Sequence, residues 1–127
     1  MTTDEHYQRL LAVRTQLRRF DHWSTAAAAE HGLTHAQHQL LLVIRGWADV
    51  RGPTIGEVAE QLLVKHHTAG ELANRTAELG LVERIKGVVD HRVVRLQLTD
   101  EGRRIVESLA EIHLEELRRL SAYLRDL

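Results

Sequence analysis

The sequence predicts a single, mostly α-helical domain with one small β-hairpin. Three observations support this fold class. The 127 residues, 43% of them hydrophobic, have the size of one typical domain. They include one proline and no cysteine, which favours helix over loop and excludes a disulfide framework, thiolate metal sites and catalytic thiols. Apolar residues recur at helical spacing over most of the chain and alternate only in residues 82–98.

The first segment predicts a long helix over residues 4–31, because its apolar residues recur with the spacing of one helix face. Thr2 and Glu5 have the spacing of a capping box, and Gly32 can adopt the left-handed conformation that ends a helix. About 27 residues rising ~1.5 Å each span about 40 Å. This exceeds what the core of a small domain covers, so part of the helix is expected to meet a partner.

A second helix is predicted after Thr34, which has the spacing of a capping box with Gln37, and it ends at Gly46. Its middle, residues 40–44, is apolar on all sides. We therefore expect these residues to lie in the core. The loop that follows contains the only proline, Pro53, which indicates a turn.

Two short helices come next. Thr54 and Glu57 form another capping-box pattern, which opens a helix over residues 55–63. A further helix is predicted over about residues 66–79, with Gly80 as its C-terminal stop. Because only a few residues separate the two helices, we expect a helix-turn-helix.

After Gly80 the apolar residues alternate, which is typical of strands. Residues 82–86 and 92–98 are predicted to pair as a β-hairpin around a turn at 87–91. Thr99 then caps a last helix, whose apolar residues follow helical spacing nearly to the end of the sequence.

Two short helices followed directly by a hairpin form a winged helix-turn-helix, here at about residues 34–98. Dimerisation helices at about 4–31 and 100–125 flank it, and residues 1–127 are expected to form one domain. A helix of such a unit fits the major groove of duplex DNA, and a basic hairpin can reach the neighbouring minor groove.

Positive charge is concentrated in the hairpin. The whole chain has a net charge of -1, whereas residues 84–95 contain four basic residues and one acidic residue. Residues 65–79 have no net charge, so the exposed part of this helix is expected to act through hydrogen bonds. We predict DNA contacts from ten residues of the winged unit: Thr54, Lys65, His66, His67, Thr68, Asn74, Arg75, Lys86, His91 and Arg92.

Several short motifs lie in the winged unit and at the start of the last helix: Leu63-Val64, Gly80-Leu81-Val82-Glu83-Arg84, Asp90-His91-Arg92 and Leu96-Gln97-Leu98-Thr99-Asp100-Glu101-Gly102-Arg103. The most specific is the Asp-x-Arg of the hairpin, followed at a fixed spacing by Leu-x-Leu-Thr-x-x-Gly. In these motifs, and over about two thirds of its length, the chain resembles the MarR family of bacterial transcriptional regulators.

The resemblance implies a homodimer that binds double-stranded DNA at a roughly palindromic operator, acts as a repressor and is released by a small aromatic or phenolic ligand. It also implies that Arg92 enters a minor groove, that Asp90 orients the wing and that residues 66–75 form the recognition helix. The sequence departs from the family at Thr76, where leucine is usual, and at the paired histidines, where small polar residues are more common.

Dimerisation also follows from the apolar stripes of the two flanking helices, which are longer than the winged unit can cover. Candidates for the interface are Leu10, Val13, Leu17, Leu117, Leu120 and Leu124. Burial of such side chains would stabilise a dimer by about 1.5–3 kcal/mol each before the costs of association. The alternative is that the two helices pack only on each other within one chain.

A small aromatic ligand would require aromatic walls and hydrogen-bond donors. Candidate residues are His22, Trp23, His38 and Trp47. The alternative is that the tryptophans are core or junction residues and the histidines are half-exposed. A histidine-based, metal-responsive regulator is a further alternative, because His35 and His38 share a helix face close to His31. Such a site needs three or four ligands, no cysteine is available, and the third ligand would have to be brought in by folding. We therefore expect neither a metal nor another cofactor.

Catalysis is not expected, because the sequence has no nucleophile–base signature, no phosphate-binding glycine loop and no HExxH motif. A winged helix used for protein contact is the alternative to DNA binding, and the absence of net charge in residues 65–79 favours it. No apolar run approaches the ~18 residues of a membrane span and the N-terminus is acidic, so the expected location is the cytoplasm, away from membranes.

Overall fold

The computed structural model describes residues 1–125, and its elements follow the predicted order. The last two residues of the predicted domain therefore lie outside the described part. The helices are α1 (Asp4–Glu30), α2 (His35–Arg45), α3 (Ile55–Leu62), α4 (His66–Glu78) and α5 (Asp100–Leu124), and the strands are β1 (Val82–Lys86) and β2 (Val94–Leu98). The predicted fold class, mostly α-helical with one small β-hairpin, is confirmed.

Threonine caps begin four of the five helices in residues 1–125. The hydroxyls of Thr3, Thr34, Thr54 and Thr99 each accept a hydrogen bond from the backbone three residues further on. The predicted Thr2–Glu5 capping box is wrong, because Thr3 is the residue directly before the first helical turn. Its hydroxyl accepts from the His6 amide, and Nδ1 of His6 accepts from the Thr3 amide at 3.0 Å.

The core surrounds α2, which contacts the other four helices and β2. Leu40, Leu41 and Ile44 are buried there. The expectation that all of residues 40–44 are core is wrong at Leu42, which is exposed, and Val43 is only partly buried. The neighbours of α2 leave Leu42 open to solvent on the side of the helix where Arg45 is also exposed.

The hairpin is antiparallel and its register joins Val82 to Leu98 and Lys86 to Val94. Strand β2 begins two residues later than predicted, because Arg92 and Val93 belong to the turn region. The other edge of β2 is also paired, since the amide of Leu96 donates to the Pro53 carbonyl at 2.9 Å. The segment before α3 is thereby fixed against the base of the hairpin.

The turn between α3 and α4 has an unusual backbone. Leu63 has φ 56° and ψ 45° and is the only non-glycine residue with positive φ among residues 1–125. The left-handed conformation costs an L-residue about 1–2 kcal/mol. Its side chain is 91% exposed, so little burial offsets this cost.

We expect Leu63→Gly to stabilise the chain by about 0.5–1 kcal/mol, because the relieved backbone strain exceeds the entropy that glycine adds to the unfolded state. The measurement is urea unfolding. Leu79→Gly is the matched control, since Leu79 is also exposed at the C-terminal end of a helix but has φ -76°. Stabilisation of both variants, or of neither, would contradict the explanation.

Candidate nucleic-acid interface

The tip of the hairpin presents Arg92 to solvent in a fixed orientation. Asp90 Oδ1 accepts hydrogen bonds from the Arg92 amide at 3.0 Å and from Nε at 3.1 Å, and Oδ2 accepts from Nη2 at 3.1 Å. The arginine holds the pKa of the Asp90 carboxyl below its usual value. The Arg92 side chain is 91% exposed, and these bonds do not use Nη1. This part of the guanidinium is therefore directed by Asp90 while it remains available to an external acceptor.

The residues around Arg92 are also accessible. Lys86, at the end of β1, and His91, in the turn, are exposed. Val88 and Val89 are almost completely exposed beside them. The turn closes tightly, with the amide of Gly87 donating to the Val93 carbonyl at 2.8 Å. A basic wing with two apolar side chains at its tip therefore projects from the domain.

Helix α4 has one buried face and one exposed face. Ala69, Ala73 and Thr76 are buried, and the Thr76 hydroxyl donates to the Leu72 carbonyl at 2.7 Å. The side chains predicted to contact DNA from this segment are all exposed: Lys65, His66, His67, Thr68, Asn74 and Arg75. Lys65, which precedes the helix, makes no side-chain cap, so backbone amides of the first turn are open to an acceptor.

Two of these exposed side chains already have partners within the chain. Nε2 of His67 lies 3.2 Å from a carboxylate oxygen of Glu71. Oδ1 of Asn74 accepts a hydrogen bond from Nη1 of Arg84 on β1. Arg84 thus joins the exposed face of α4 to the wing. Its position in the sequence gave no sign of this role, because the pairing depends on how α4 packs against β1.

Other residues that were predicted to contact DNA lie at the edges of the surface that α4 and the wing form. Thr54 is partly buried at the start of α3, where its hydroxyl accepts from the Glu57 amide at 3.1 Å. Thr68 and Arg75 line a groove of about 690 Å³ between α4, the α3–α4 turn and the start of α2. The structure therefore places Thr68 and Arg75 on the side of α4 that faces α2, whereas Asn74 faces the wing.

The four residues predicted to line a ligand pocket do not come together in one cavity. Trp23 and His38 both pack on His113 of α5, with ring centroids 4.7 Å apart in each pair. His22 is exposed on α1. Trp47 lines a separate depression near the end of α2, and neither Trp23 nor His38 contributes to it. Trp47 follows the C-terminal end of α2, whereas His38 lies near the N-terminal end of the same helix, so the length of α2 lies between them.

The aromatic cluster at α1, α2 and α5 contains a hydrogen-bonded histidine that sequence reasoning missed. Nδ1 of His113 lies 2.8 Å from the Leu109 carbonyl, and Nε2 lies 2.7 Å from the Ser24 hydroxyl. A carbonyl can only accept, so Nδ1 carries a proton and donates to Leu109. The packing of α5 on α1 brings Ser24 to His113, and this long-range contact has no local signal in the sequence.

His38 is the buried member of this cluster. It is 2% exposed, and its Nδ1 has no hydrogen-bond partner among the described residues 1–125. Burial, followed by the nearby His113, His35 and His31, lowers its pKa from 6.5 to about 4. Within residues 1–125, no group of three or more histidine or acidic side chains is arranged to hold a metal ion. The arrangement therefore favours a neutral imidazole near pH 7.

The predicted dimer residues differ in their exposure. Leu10, Leu117 and Leu124 are exposed, and Val13 and Leu17 are partly buried. Leu120 is already buried in the single chain, where it packs beside Phe20 and Trp23 of α1. Most of its surface is therefore already covered within one chain, and its place in a dimer interface stays a prediction.

Comparisons with known proteins agree with this fold. The model of the MarR family matches residues 31–93. An uncharacterized HTH-type transcriptional regulator, YsmB of Bacillus subtilis, is 36% identical over 74 residues, which are 58% of this chain and 46% of that relative. The match thus spans about half of the relative's length.

Solved structures show the same architecture over nearly the whole chain. AbsC, a MarR family transcriptional regulator from Streptomyces coelicolor, superposes with a TM-score of 0.79 at 19% identity, covering 98% of this chain and 83% of AbsC. MepR of S. aureus, in a complex with DNA, superposes with a TM-score of 0.75 at 19% identity, covering 96% and 85%.

The fold is that of a winged-helix domain between two long helices. The chain belongs to the MarR family. In the part of the chain that the structure describes, no helix is long and apolar enough to cross a membrane.

Proposed function

We propose that this protein is a DNA-binding transcriptional regulator. The observation that carries the proposal is the wing, where Asp90 directs an exposed Arg92 at the tip of a hairpin whose first strand packs on α4. Helix α4 would read base edges in a major groove, and Arg92 would enter the adjacent minor groove. The open amides at the start of α4 suit a backbone phosphate. Membership of the MarR family supports the same function.

The finer proposal is a cytoplasmic repressor that acts as a homodimer on a palindromic operator. Residues 4–12 of α1 are all exposed in the single chain, although they include Tyr7, Leu10 and Leu11. A second copy would cover them and place two α4 helices on half-sites about 34 Å apart. A small aromatic ligand would modulate DNA affinity, in keeping with other members of the family.

Arg92→Gln tests the proposal. We expect about tenfold weaker binding and a shallower dependence of affinity on salt, because a phosphate or groove contact is lost. The measurement is a mobility shift with a duplex of random sequence at several salt concentrations. Arg119→Gln is the matched control, since it removes the same charge from α5, where Arg119 pairs with Glu115 and Glu116. Equal binding by the two variants would contradict the role of Arg92.

A protein-contact module is the second candidate, because residues 65–79 have no net charge and Val88 and Val89 are exposed. The same duplex assay separates the two candidates. Retention of DNA at low salt that is lost at high salt supports the regulator. Absence of any salt-sensitive retention would favour protein contact.

A further inference from the structure

The loop before α3 repeats the arrangement seen at the wing. Asp49 Oδ1 accepts hydrogen bonds from the Arg51 amide at 2.9 Å and from Nε at 3.1 Å, and Oδ2 accepts from Nη2 at 2.6 Å. These are the same donor and acceptor atoms as in the Asp90–Arg92 pair. The chain therefore contains two Asp-x-Arg motifs with one geometry, at residues 49–51 and 90–92.

The loop that carries Arg51 is anchored to β2. Nη1 of Arg95 donates to the Gly52 carbonyl at 2.9 Å, and Nε2 of Gln97 donates to the Arg51 carbonyl at 3.3 Å. Gly52 has φ 88°, and a Cβ at this position would collide with the Leu96 carbonyl. The backbone of residue 51 is thus held against the outer face of the hairpin, so the direction of its side chain is set in advance.

Arg51 and the wing also share one cleft. A depression of about 440 Å³ on the outer face of the hairpin is lined by Arg51 together with Lys86, Asp90 and Arg95. Three of the lining side chains are cations, and the apolar side chains of Ile85, Val88, Val89 and Val93 complete much of the wall. The Arg51 side chain is 67% exposed, and its bonds to Asp49 leave Nη1 for another acceptor. The cleft therefore offers a directed guanidinium beside the residues that support the wing.

The Asp49–Arg51 pair contributes little to folding if it acts only as an ion pair. Exposed salt bridges typically contribute little to the free energy of unfolding. Side chains of β2 nonetheless hold the backbone that carries Arg51, because Arg95 donates to the Gly52 carbonyl and Gln97 donates to the Arg51 carbonyl. A planar, directed guanidinium at the edge of a cleft that also contains Lys86 and Arg95 is suited to a phosphate group, which it can bind through two N–H donors.

We propose that Arg51 is a second DNA-contacting residue, which binds a backbone phosphate at the edge of the minor groove entered by the wing, and that Asp49 is its positioning residue. This inference rests on the proposed DNA-binding function. A phosphate contact carries no sequence information, so Arg51 would contribute equally to all duplexes and would fix the register of the wing.

Arg51→Gln should weaken binding to a random-sequence duplex about three- to tenfold and reduce the salt slope by about one for each bound chain. Arg92→Gln and Arg119→Gln are measured in the same titration, and circular dichroism with thermal unfolding verifies that each variant is folded. If Arg92→Gln weakens binding while Arg51→Gln behaves as Arg119→Gln does, the inference is overturned and DNA binding stands. If the unaltered protein binds no duplex, the proposed function itself is wrong.

The variant Asp49→Asn distinguishes the effect of orienting the Arg51 guanidinium from the effect of the protein's net charge on DNA binding. This change makes the protein more positive by one charge, so a simple charge effect would strengthen DNA binding. Loss of orientation should instead weaken it about two- to fivefold, because the guanidinium must then be ordered on binding. Asp21→Asn makes the same charge change on the exposed part of α1 and is the control. Stronger binding by Asp49→Asn than by Asp21→Asn would overturn the role assigned to Asp49.

Discussion

The stability of the folded chain is expected to fall by up to about 3 kcal/mol between pH 6.5 and pH 4, because His38 must be buried without its proton. An unfolded histidine binds a proton below about pH 6.5. In the folded chain the pKa of His38 is about 4, so the unfolded state holds more protons throughout this window. The free energy of unfolding therefore decreases as the pH falls and becomes level again below the folded pKa.

Urea unfolding at pH 7, 5.5 and 4.5 measures this effect at one fixed protein concentration, since dimerisation would make stability depend on concentration. His38→Gln is the informative variant because glutamine does not titrate. Its absolute stability can change through lost packing, but its slope against pH should be smaller than that of the unaltered chain. Equal slopes in the two proteins would contradict a buried, neutral His38.

The carboxyl groups of Asp49 and Asp90 change the free energy of unfolding in a lower pH range than His38 does, so the two effects can be measured separately. Arg51 holds the pKa of Asp49 below its usual 3.8, and Arg92 does the same for Asp90. A carboxyl group with a lowered pKa in the folded state contributes stability that is lost only as the pH falls below that usual value. The loss due to His38 occurs at higher pH and is therefore measured separately.

The sequence predicts the elements of this fold well because each has a local signal. Thr34 and Thr54 mark helix starts through side-chain bonds to the residue three positions on, and the change to a period of two after Gly80 marks the hairpin. The error at Thr2 has a local cause too. Two adjacent threonines can both cap α1, and a histidine, His6, replaces the expected glutamate as the reciprocal partner.

The contacts between elements were much harder to predict. Ser24 and His113 are 89 positions apart, and only the packing of α5 on α1 places them 2.7 Å apart. The burial of Leu120 has the same origin, since a leucine stripe on a helix does not reveal whether its own chain or a second chain covers it. The sequence contains a second Asp-x-Arg motif at residues 49–51. Its spatial relation to the motif at residues 90–92 depends on the packing of Gly52 against β2, which has no local signal in the sequence.

The combined substitution Leu10→Arg and Leu117→Arg is expected to weaken self-association more than a thousandfold. Both side chains are exposed in the single chain, at 53% and 44%, and they lie on the two helices that flank the winged unit. Burial of two arginines without partners in an apolar interface costs several kcal/mol, and the burial of two leucines is lost as well. Sedimentation equilibrium should therefore give the mass of one chain at micromolar concentration.

Leu120 is not a suitable position for this test, because Arg there would damage the packing of α5 on α1 within one chain. Val50→Arg with Leu79→Arg is the matched control, since both residues are exposed apolar side chains of the winged unit. The control should remain dimeric. Circular dichroism of the Leu10 and Leu117 variant should show either a helical monomer or, if folding requires the partner, joint loss of helix and dimer. A helical dimer as stable as the control would show that these end helices are not the interface.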